Sequence, residues 1–107
     1  MLVVSVLLRI QPEKRSEVLS AMNSLLPRMQ WLPGCLGCRL VAEYDSTDTW
    51  SLVSEWDDRQ TFDRFLRSRE LDILQGMRML LRDDPHVTVD DVVTRAQSTL
   101  RQMLREA

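Results

Sequence analysis

Apolar and polar residues alternate along three stretches of this chain, at residues 2–10, 36–44 and 50–56. A period of two residues is typical of a β-strand that buries one face. The even-numbered positions are mostly apolar, whereas the odd-numbered positions mix apolar and charged residues. The even-numbered residues that we expect to pack against helices are Val4, Val6, Leu8, Leu40, Ala42, Trp50, Leu52 and Trp56. A fourth strand is indicated by Val87, Val89 and Val92.

A helical period follows the first strand. Pro12 suits the first turn of a helix, where its missing N–H costs no hydrogen bond. Apolar residues then recur every three or four positions, at Val18, Leu19, Met22, Leu25, Leu26 and Met29. Pro27 lies inside this pattern. We expect it to kink or end the helix, because its ring displaces the hydrogen bond to Asn23.

Two further helical regions lie between the third and fourth strands, and one more follows the fourth. Asp57 can cap the first of them, with Gln60 at the capping-box position, and a second piece begins near Ser68. From about Thr94 to Ala107 the chain predicts an amphipathic helix, with Ala96, Leu100, Met103 and Leu104 on one stripe. This order predicts an α+β fold of the ferredoxin-like type, a four-stranded antiparallel sheet with helices on one face. We expect residues 1–93 to form the domain and residues 94–107 to form a C-terminal amphipathic helix that extends it.

The odd-numbered face of the predicted sheet indicates self-association. It carries Val3, Ser5, Leu7, Arg9, Arg39, Val41, Glu43, Val53 and Glu55. Long apolar residues mixed with opposite charges are rarely left bare to water. A second copy packed face to face would bury the apolar residues and let the arginines and glutamates pair. We therefore expect a homodimer, although a solvated face is a common alternative in antiparallel sheets.

Composition narrows the range of partners and locations. The 107 residues suit one domain, with 44% hydrophobic and 28% charged residues, as in ordinary globular proteins. The net charge of -2 provides no basic excess for a nucleic-acid or anionic-membrane surface. No apolar stretch approaches the ~20 residues needed to span a bilayer. We expect a cytoplasmic protein that binds neither nucleic acid nor membrane.

Two motifs suggest chemistry but have simpler explanations. Cys35 and Cys38 have the C-x-x-C spacing, which in redox proteins sits at a helix N-terminus. Here it enters a strand, and alternation would send the two side chains to opposite faces. Two cysteines and the single histidine, His86, are too few for the four ligands of a zinc site within one chain. His86 remains a candidate acid or base near neutral pH.

An aromatic group could line a ligand pocket. Trp56, Phe62 and Phe65 fall where the third strand meets the following helix. Pockets for flat organic ligands are apolar with a few placed polar groups, but aromatic residues at helical spacing more often pack a core. Both interpretations stay open from the residues alone. No nucleotide-binding or zinc-protease motif occurs in the chain.

Four segments, taken together, resemble the antibiotic biosynthesis monooxygenase family. They are Arg9 to Pro12, Pro33-Gly34-Cys35, Ser54-Glu55-Trp56 and Phe62 to Ser68, and their order and spacing carry the resemblance over residues 2 to about 93. The resemblance implies a dimeric α/β barrel. It also implies oxidation of a small aromatic or quinol-like substrate by oxygen directly, without metal, flavin or haem.

The resemblance also suggests individual positions. Trp56 matches the tryptophan that closes the third strand in the polyketide oxygenases, whereas their asparagine falls at Leu52 and their tyrosine at Phe62. Many relatives carry histidine where this chain has Phe65. The haem-degrading branch uses an asparagine, a tryptophan and a histidine, and Val6, Phe65 and Gln75 occupy those positions here. Because no axial ligand remains, the resemblance argues against haem degradation.

These matches define the candidate site. The candidate substrate-binding residues are Trp56, Phe65, Phe62, Leu52, Val6 and Gln75. The weaker catalytic candidates are Trp56, His86, Ser54 and Tyr44, the last three being polar groups near the inferred cavity. The apolar replacements leave two functions open. One is a cofactor-independent monooxygenase, and the other is a non-catalytic protein that binds a small ligand on the same dimeric scaffold.

Overall fold

A computed structural model describes residues 1–106 of the chain. Its helices and strands in chain order are β1 (Leu2–Arg9), α1 (Arg15–Gln30), β2 (Cys35–Ala42), β3 (Thr49–Trp56), α2 (Arg59–Phe65), α3 (Arg69–Gly76), β4 (His86–Asp91) and α4 (Leu100–Glu106). Short 3₁₀ turns at Pro12–Lys14 and Met77–Leu80 precede α1 and follow α3.

The strands within residues 1–106 form a four-stranded antiparallel sheet in the order β2-β3-β1-β4. The central strands pair from Leu2 opposite Trp56 to Arg9 opposite Thr49. Because antiparallel partners point to the same face, this register collects the even-numbered residues of β1 and β3 on one side. The predicted ferredoxin-like α+β fold is confirmed.

The core lies between the even-numbered face and α1. On the sheet side it buries Leu2, Val4, Val6, Leu8, Trp50, Leu52 and Trp56, and on the helix side Val18, Met22, Leu25 and Met29. Each large apolar side chain buried this way stabilises the fold by roughly 1.5–3 kcal/mol. Toward the C-terminal end of β2 the expected packing against helices holds only in part, since Leu40 is half-buried against the core and Ala42 is exposed.

Helix α1 runs past the proline that we expected to kink or end it. It contains Pro27 and continues to Gln30. Pro27 is exposed and lies close to the end of the helix, while Met29 in the last turn is fully buried. Packing of that last turn thus outweighs the one hydrogen bond that the proline removes. No helix among residues 1–106 is long and apolar enough to cross a membrane.

The start of α2 lies one residue later than predicted. The cap is Asp58, whose carboxylate accepts a hydrogen bond from the Thr61 N–H at 2.9 Å, and Thr61 completes a capping box. Asp57, which we expected to cap the helix, lies one residue before the cap, and its N–H donates a hydrogen bond to the Gly34 carbonyl at 2.9 Å. The predicted start near Ser68 is confirmed, since the Ser68 hydroxyl accepts from the Leu71 N–H at 3.3 Å and caps α3.

A β-bulge in β2 overturns the expectation that the two cysteines point to opposite faces. Cys35 pairs with Trp56 and Gly37 with Glu55, so Leu36 is an extra residue without a partner. One extra residue reverses the alternation of side chains. Both cysteines therefore lie on the helix-facing side, half-buried against the core.

The C-terminal extension is less helical than predicted. Within the described residues α4 begins only at Leu100, because Thr99 and Gln102 exchange side-chain and backbone hydrogen bonds of 2.9 and 3.2 Å that cap the helix there. The predicted helix over 94–99 does not form, and Ala107 lies outside the described residues. The predicted apolar stripe of Leu100, Met103 and Leu104 is present and exposed.

Candidate functional site

A cavity of about 400 Å³ opens between the β1–β4 side of the sheet and helices α2 and α3. Its lining is mostly apolar, with three polar residues. The lining residues are Val4, Val6, Phe62, Phe65, Leu66, Leu71, Leu74, Gln75, Arg78, Asp84, Pro85 and Val87. An apolar concavity of this size with a few polar groups is typical of sites for small organic ligands.

The topology explains why this space is open. Strand β4 adds an outer strand to β1, with Val87 opposite Val6 and Val89 opposite Val4. Helix α1 packs chiefly against β2, at the far edge of the sheet, whereas the short helices α2 and α3 flank the cavity beside β1 and β4. Val87 is consequently 58% exposed although it points toward the helix-facing side. The cavity occupies this thinly covered part of the sheet.

An aromatic cluster forms one wall of the cavity. The rings of Trp56 and Phe65 stack, with centroids 5.0 Å apart and planes inclined by 26°, and the Phe62 centroid lies 6.1 Å from that of Trp56. Each such pair adds about 0.5–1.5 kcal/mol beyond the area it buries. Phe62 and Phe65 line the cavity, whereas Trp56 lies behind them and borders a separate space of about 40 Å³.

Ser54 fixes the orientation of this cluster. Its hydroxyl accepts a hydrogen bond from Trp56 Nε1 at 3.0 Å, and both side chains are buried. A buried indole N–H without a partner would cost roughly 1–3 kcal/mol. The bond therefore holds the indole in the plane that stacks on Phe65. Ser54 contacts the wall from behind and does not line the cavity.

The structure brings four of the predicted substrate-binding residues to the cavity. Val6, Phe62, Phe65 and Gln75 all line it. Leu52 is buried in the core outside the lining, as is Trp56. Tyr44 lies past the end of β2 and is fully exposed, so the structure does not place it at the cavity.

His86 lies on the opposite side of the sheet from the cavity. It pairs with Leu7 at the start of β4, and antiparallel partners share a face. Leu7 belongs to the odd-numbered face, so the His86 side chain points away from the helices. The alternation that aims Val87 into the cavity turns His86 out of it. This placement differs from the expectation that His86 lies at the cavity edge.

Two charged residues at the mouth were not anticipated from the sequence. Arg78 and Asp84 line the cavity, and together with Gln75 they also border a shallow depression just outside it. Arg78 follows Gln75 by three residues, a spacing that puts both on one side of a helical turn. The spacing could therefore have predicted from the sequence that Arg78 lies beside Gln75. Asp84 had none, because its position before Pro85 is explained by turn formation alone.

The two cysteines are poor nucleophiles at neutral pH. Desolvation raises the pKa of the Cys38 thiol to about 11 and also raises the pKa of Cys35. Cys38 Sγ lies 3.5 Å from the Leu26 carbonyl, to which it donates a hydrogen bond. The reactive thiolate is therefore a minor species, which fits a packing role. Among residues 1–106 no three metal-ligating side chains are clustered.

The open face of the sheet holds a separate charge network. Arg95, from the segment before α4, donates two hydrogen bonds to the Glu55 carboxylate at 3.0 and 3.1 Å, and Arg39 lies 3.7 Å away. These contacts lower the pKa of Glu55, and the hydrogen bonds from Arg95 have the largest effect. On the same face Arg9 pairs with Asp83 at 3.0 Å. Within residues 1–106, Arg9, Arg39 and Glu55 of this face thus form ion pairs inside a single chain, whereas we expected them to pair between two copies.

Comparison with known proteins identifies the family. The model of the antibiotic biosynthesis monooxygenase family matches residues 1–72, well over half of the chain, and the chain belongs to this family. No curated protein matches it.

Solved structures share the fold. A crystal structure of an antibiotic biosynthesis monooxygenase is 24% identical with a TM-score of 0.81, covering 88% of this chain and 100% of that one. Rv0793 from Mycobacterium tuberculosis is 20% identical with a TM-score of 0.82, covering 90% and 98%. A conserved protein from Methanosarcina mazei Go1 is 20% identical with a TM-score of 0.80, covering 83% and 89%.

Proposed function

We propose that this protein is a cofactor-independent monooxygenase whose substrate is a small aromatic or quinol-like molecule bound in the cavity. Membership of the antibiotic biosynthesis monooxygenase family supports a monooxygenase-like role. The observation that carries the substrate class is the apolar cavity of about 400 Å³ beside the stacked Trp56 and Phe65. A flat ring fits between the valines of the sheet and the two phenylalanines.

In the proposed reaction the substrate itself supplies the electrons. An anthrone, for example, would lose both hydrogens of its central CH₂ group and gain one oxygen atom as C=O. The second atom of O₂ would leave as water with those two hydrogens. The protein holds the ring away from bulk water, and the Gln75 amide at the mouth can hydrogen-bond a ring hydroxyl or carbonyl. No metal, flavin or haem takes part in this proposal.

A second function, ligand binding without catalysis, has specific support. Phe62 and Phe65 put apolar surface where the resemblance would place a tyrosine and a histidine, and Leu52 replaces an asparagine. Tyr44 and His86, two of the polar groups considered for catalysis, lie away from the cavity. Tight binding of an aromatic ligand with no oxygen consumption would favour this alternative.

We also propose that the protein works as a homodimer joined through the open face. Val3 and Leu7 are only half-buried there, beside the Arg39–Glu55–Arg95 network. A second copy would complete the burial of this apolar surface. Sedimentation at micromolar concentration tests the assembly, and a stable monomer would contradict it. The cytoplasmic location expected from the sequence stays a prediction.

The main proposal is tested by a substitution that fills the cavity with a larger side chain. Val87→Phe should place a ring in the open space with little strain, because Val87 is largely exposed. The matched control is Val89→Phe, on the same strand and the same face but outside the cavity lining. Purified protein without added metal or flavin should consume oxygen with an anthrone or a hydroquinone. Val87→Phe should abolish this consumption and Val89→Phe should not. Equal activity in both variants would contradict the assigned site.

A further inference from the structure

The mouth of the cavity carries charge that its interior lacks. Arg78 is the one cation and Asp84 the one carboxylate among the residues that line it, as far as residues 1–106 are concerned. Both also border the outer depression, which places them at the rim and not along the inner walls. Within the same part of the chain neither side chain forms a salt bridge, although seven such pairs form elsewhere.

We propose that Arg78 recognises an anionic oxygen of the ligand, so that the cavity selects aromatic acids over neutral aromatics of the same shape. The inference rests on the proposed function, in which the cavity holds an aromatic ring. A guanidinium presents a rigid fork of donors that matches a carboxylate in a bidentate way and stays charged at every working pH. With the ring inside, a carboxylate on its outer edge reaches the rim, where Arg78 is free to pair.

Asp84 does not compete for this role. A carboxylate repels an anionic ligand. Asp84 can instead accept a hydrogen bond from a ring hydroxyl that keeps its proton. Arg78 therefore sets the preference for an acid.

A matched pair of ligands tests the proposal by calorimetry. The probes are 2-naphthol and 3-hydroxy-2-naphthoate, which share a ring system and a hydroxyl and differ in the carboxylate. The full-length protein should bind the carboxylate roughly tenfold more tightly, the effect of one charge-assisted contact at a partly solvated site. Added salt should reduce this preference, because exposed charges are screened.

Three variants assign the effect to one residue. Arg78→Gln should remove the preference, and Arg78→Lys should retain part of it through charge without the fork. Arg82→Gln makes the same charge change four residues later at an exposed position outside the lining, and it should keep the full preference. Circular dichroism confirms that each variant is folded.

The outcomes separate this inference from the proposed function. If both naphthalenes bind with equal affinity, or if Arg78→Gln keeps the preference, Arg78 does not select acids although the cavity still binds aromatic rings. If neither compound binds, the proposed use of the cavity fails as well. If Arg82→Gln loses the preference together with Arg78→Gln, the effect comes from general surface charge, and the assignment to Arg78 is wrong.

Discussion

The two faces of the sheet are made from the same strands and yet differ in nearly every physical property. The helix-facing side is apolar and aromatic, and its buried polar group, Ser54, is satisfied by Trp56. The open side carries ion pairs around Glu55, beside the half-buried Val3, Leu7 and Val53. Alternation with a period of two lets one strand encode both surfaces. One face is mostly buried as the core and opens only at the cavity, whereas the other is partly exposed and mixes apolar with charged side chains.

The largest expected loss of stability comes from a change on the helix-facing side of the sheet. Trp56→Ala should lower the free energy of unfolding by about 3–5 kcal/mol, since it empties a fully buried site and removes the stack on Phe65. Trp31→Ala is the matched control, because Trp31 is 87% exposed. Denaturant unfolding measures both variants. Similar costs for the two tryptophans would contradict the description of this face as a packed core.

Much of the fold follows from the periodicities of the sequence. Alternation at 2–10 and 50–56 predicted the central strands and which residues they bury, and the helical stripe ending at Met29 predicted the face of α1 that packs on them. The burial pattern of a single strand or helix depends on residues close together in the sequence, so the spacing of apolar residues is enough to predict it. Pro27 shows the limit of the rule, because tertiary packing of Met29 keeps the helix intact past it.

The candidate site was less predictable because it depends on pairing between distant strands. The face on which His86 lies follows only from its register with Leu7, which no local pattern reveals. The bulge at Leu36, which turns both cysteines to one side, is a property of the β2–β3 pair. Arg78 becomes a rim residue only where the turn after α3 meets the loop carrying Asp84.

A smaller effect is expected from the hydrogen bond behind the cavity wall. Ser54→Ala keeps the packing and leaves the Trp56 N–H buried without a partner, which should cost roughly 1–3 kcal/mol. Ser51→Ala is the control, since Ser51 lies on the open face of the same strand and is half-buried. Tryptophan fluorescence should report a changed environment for Trp56 in the first variant alone. An unaltered unfolding free energy would mean that the bond does not stabilise the indole.

The smallest expected effect on the isolated protomer concerns the open face. The Glu55 side chain is 17% exposed, and its pairs with Arg95 and Arg39 lie near solvent, so Glu55→Gln should cost less than about 1 kcal/mol in a monomer. If a second copy covers this face, the same change leaves Arg39 and Arg95 buried at the interface without a charged partner. The dimer should then weaken measurably.

The pH dependence of this variant sharpens the comparison. The pKa of Glu55 is lowered in the folded state, chiefly by the hydrogen bonds from Arg95. A lowered pKa means that the charge pair stabilises the fold above the ordinary glutamate pKa and loses that contribution as the pH falls through the folded value. The difference in the free energy of unfolding between the original protein and Glu55→Gln should therefore be largest at pH 7 and should vanish in acid. Asp63→Asn, which breaks the exposed pair with Arg59 on α2, is the control for a surface ion pair. Sedimentation and unfolding measurements across this pH range compare the two variants. If both changes weaken the dimer equally, the open face is exposed to solvent and is not the dimer interface.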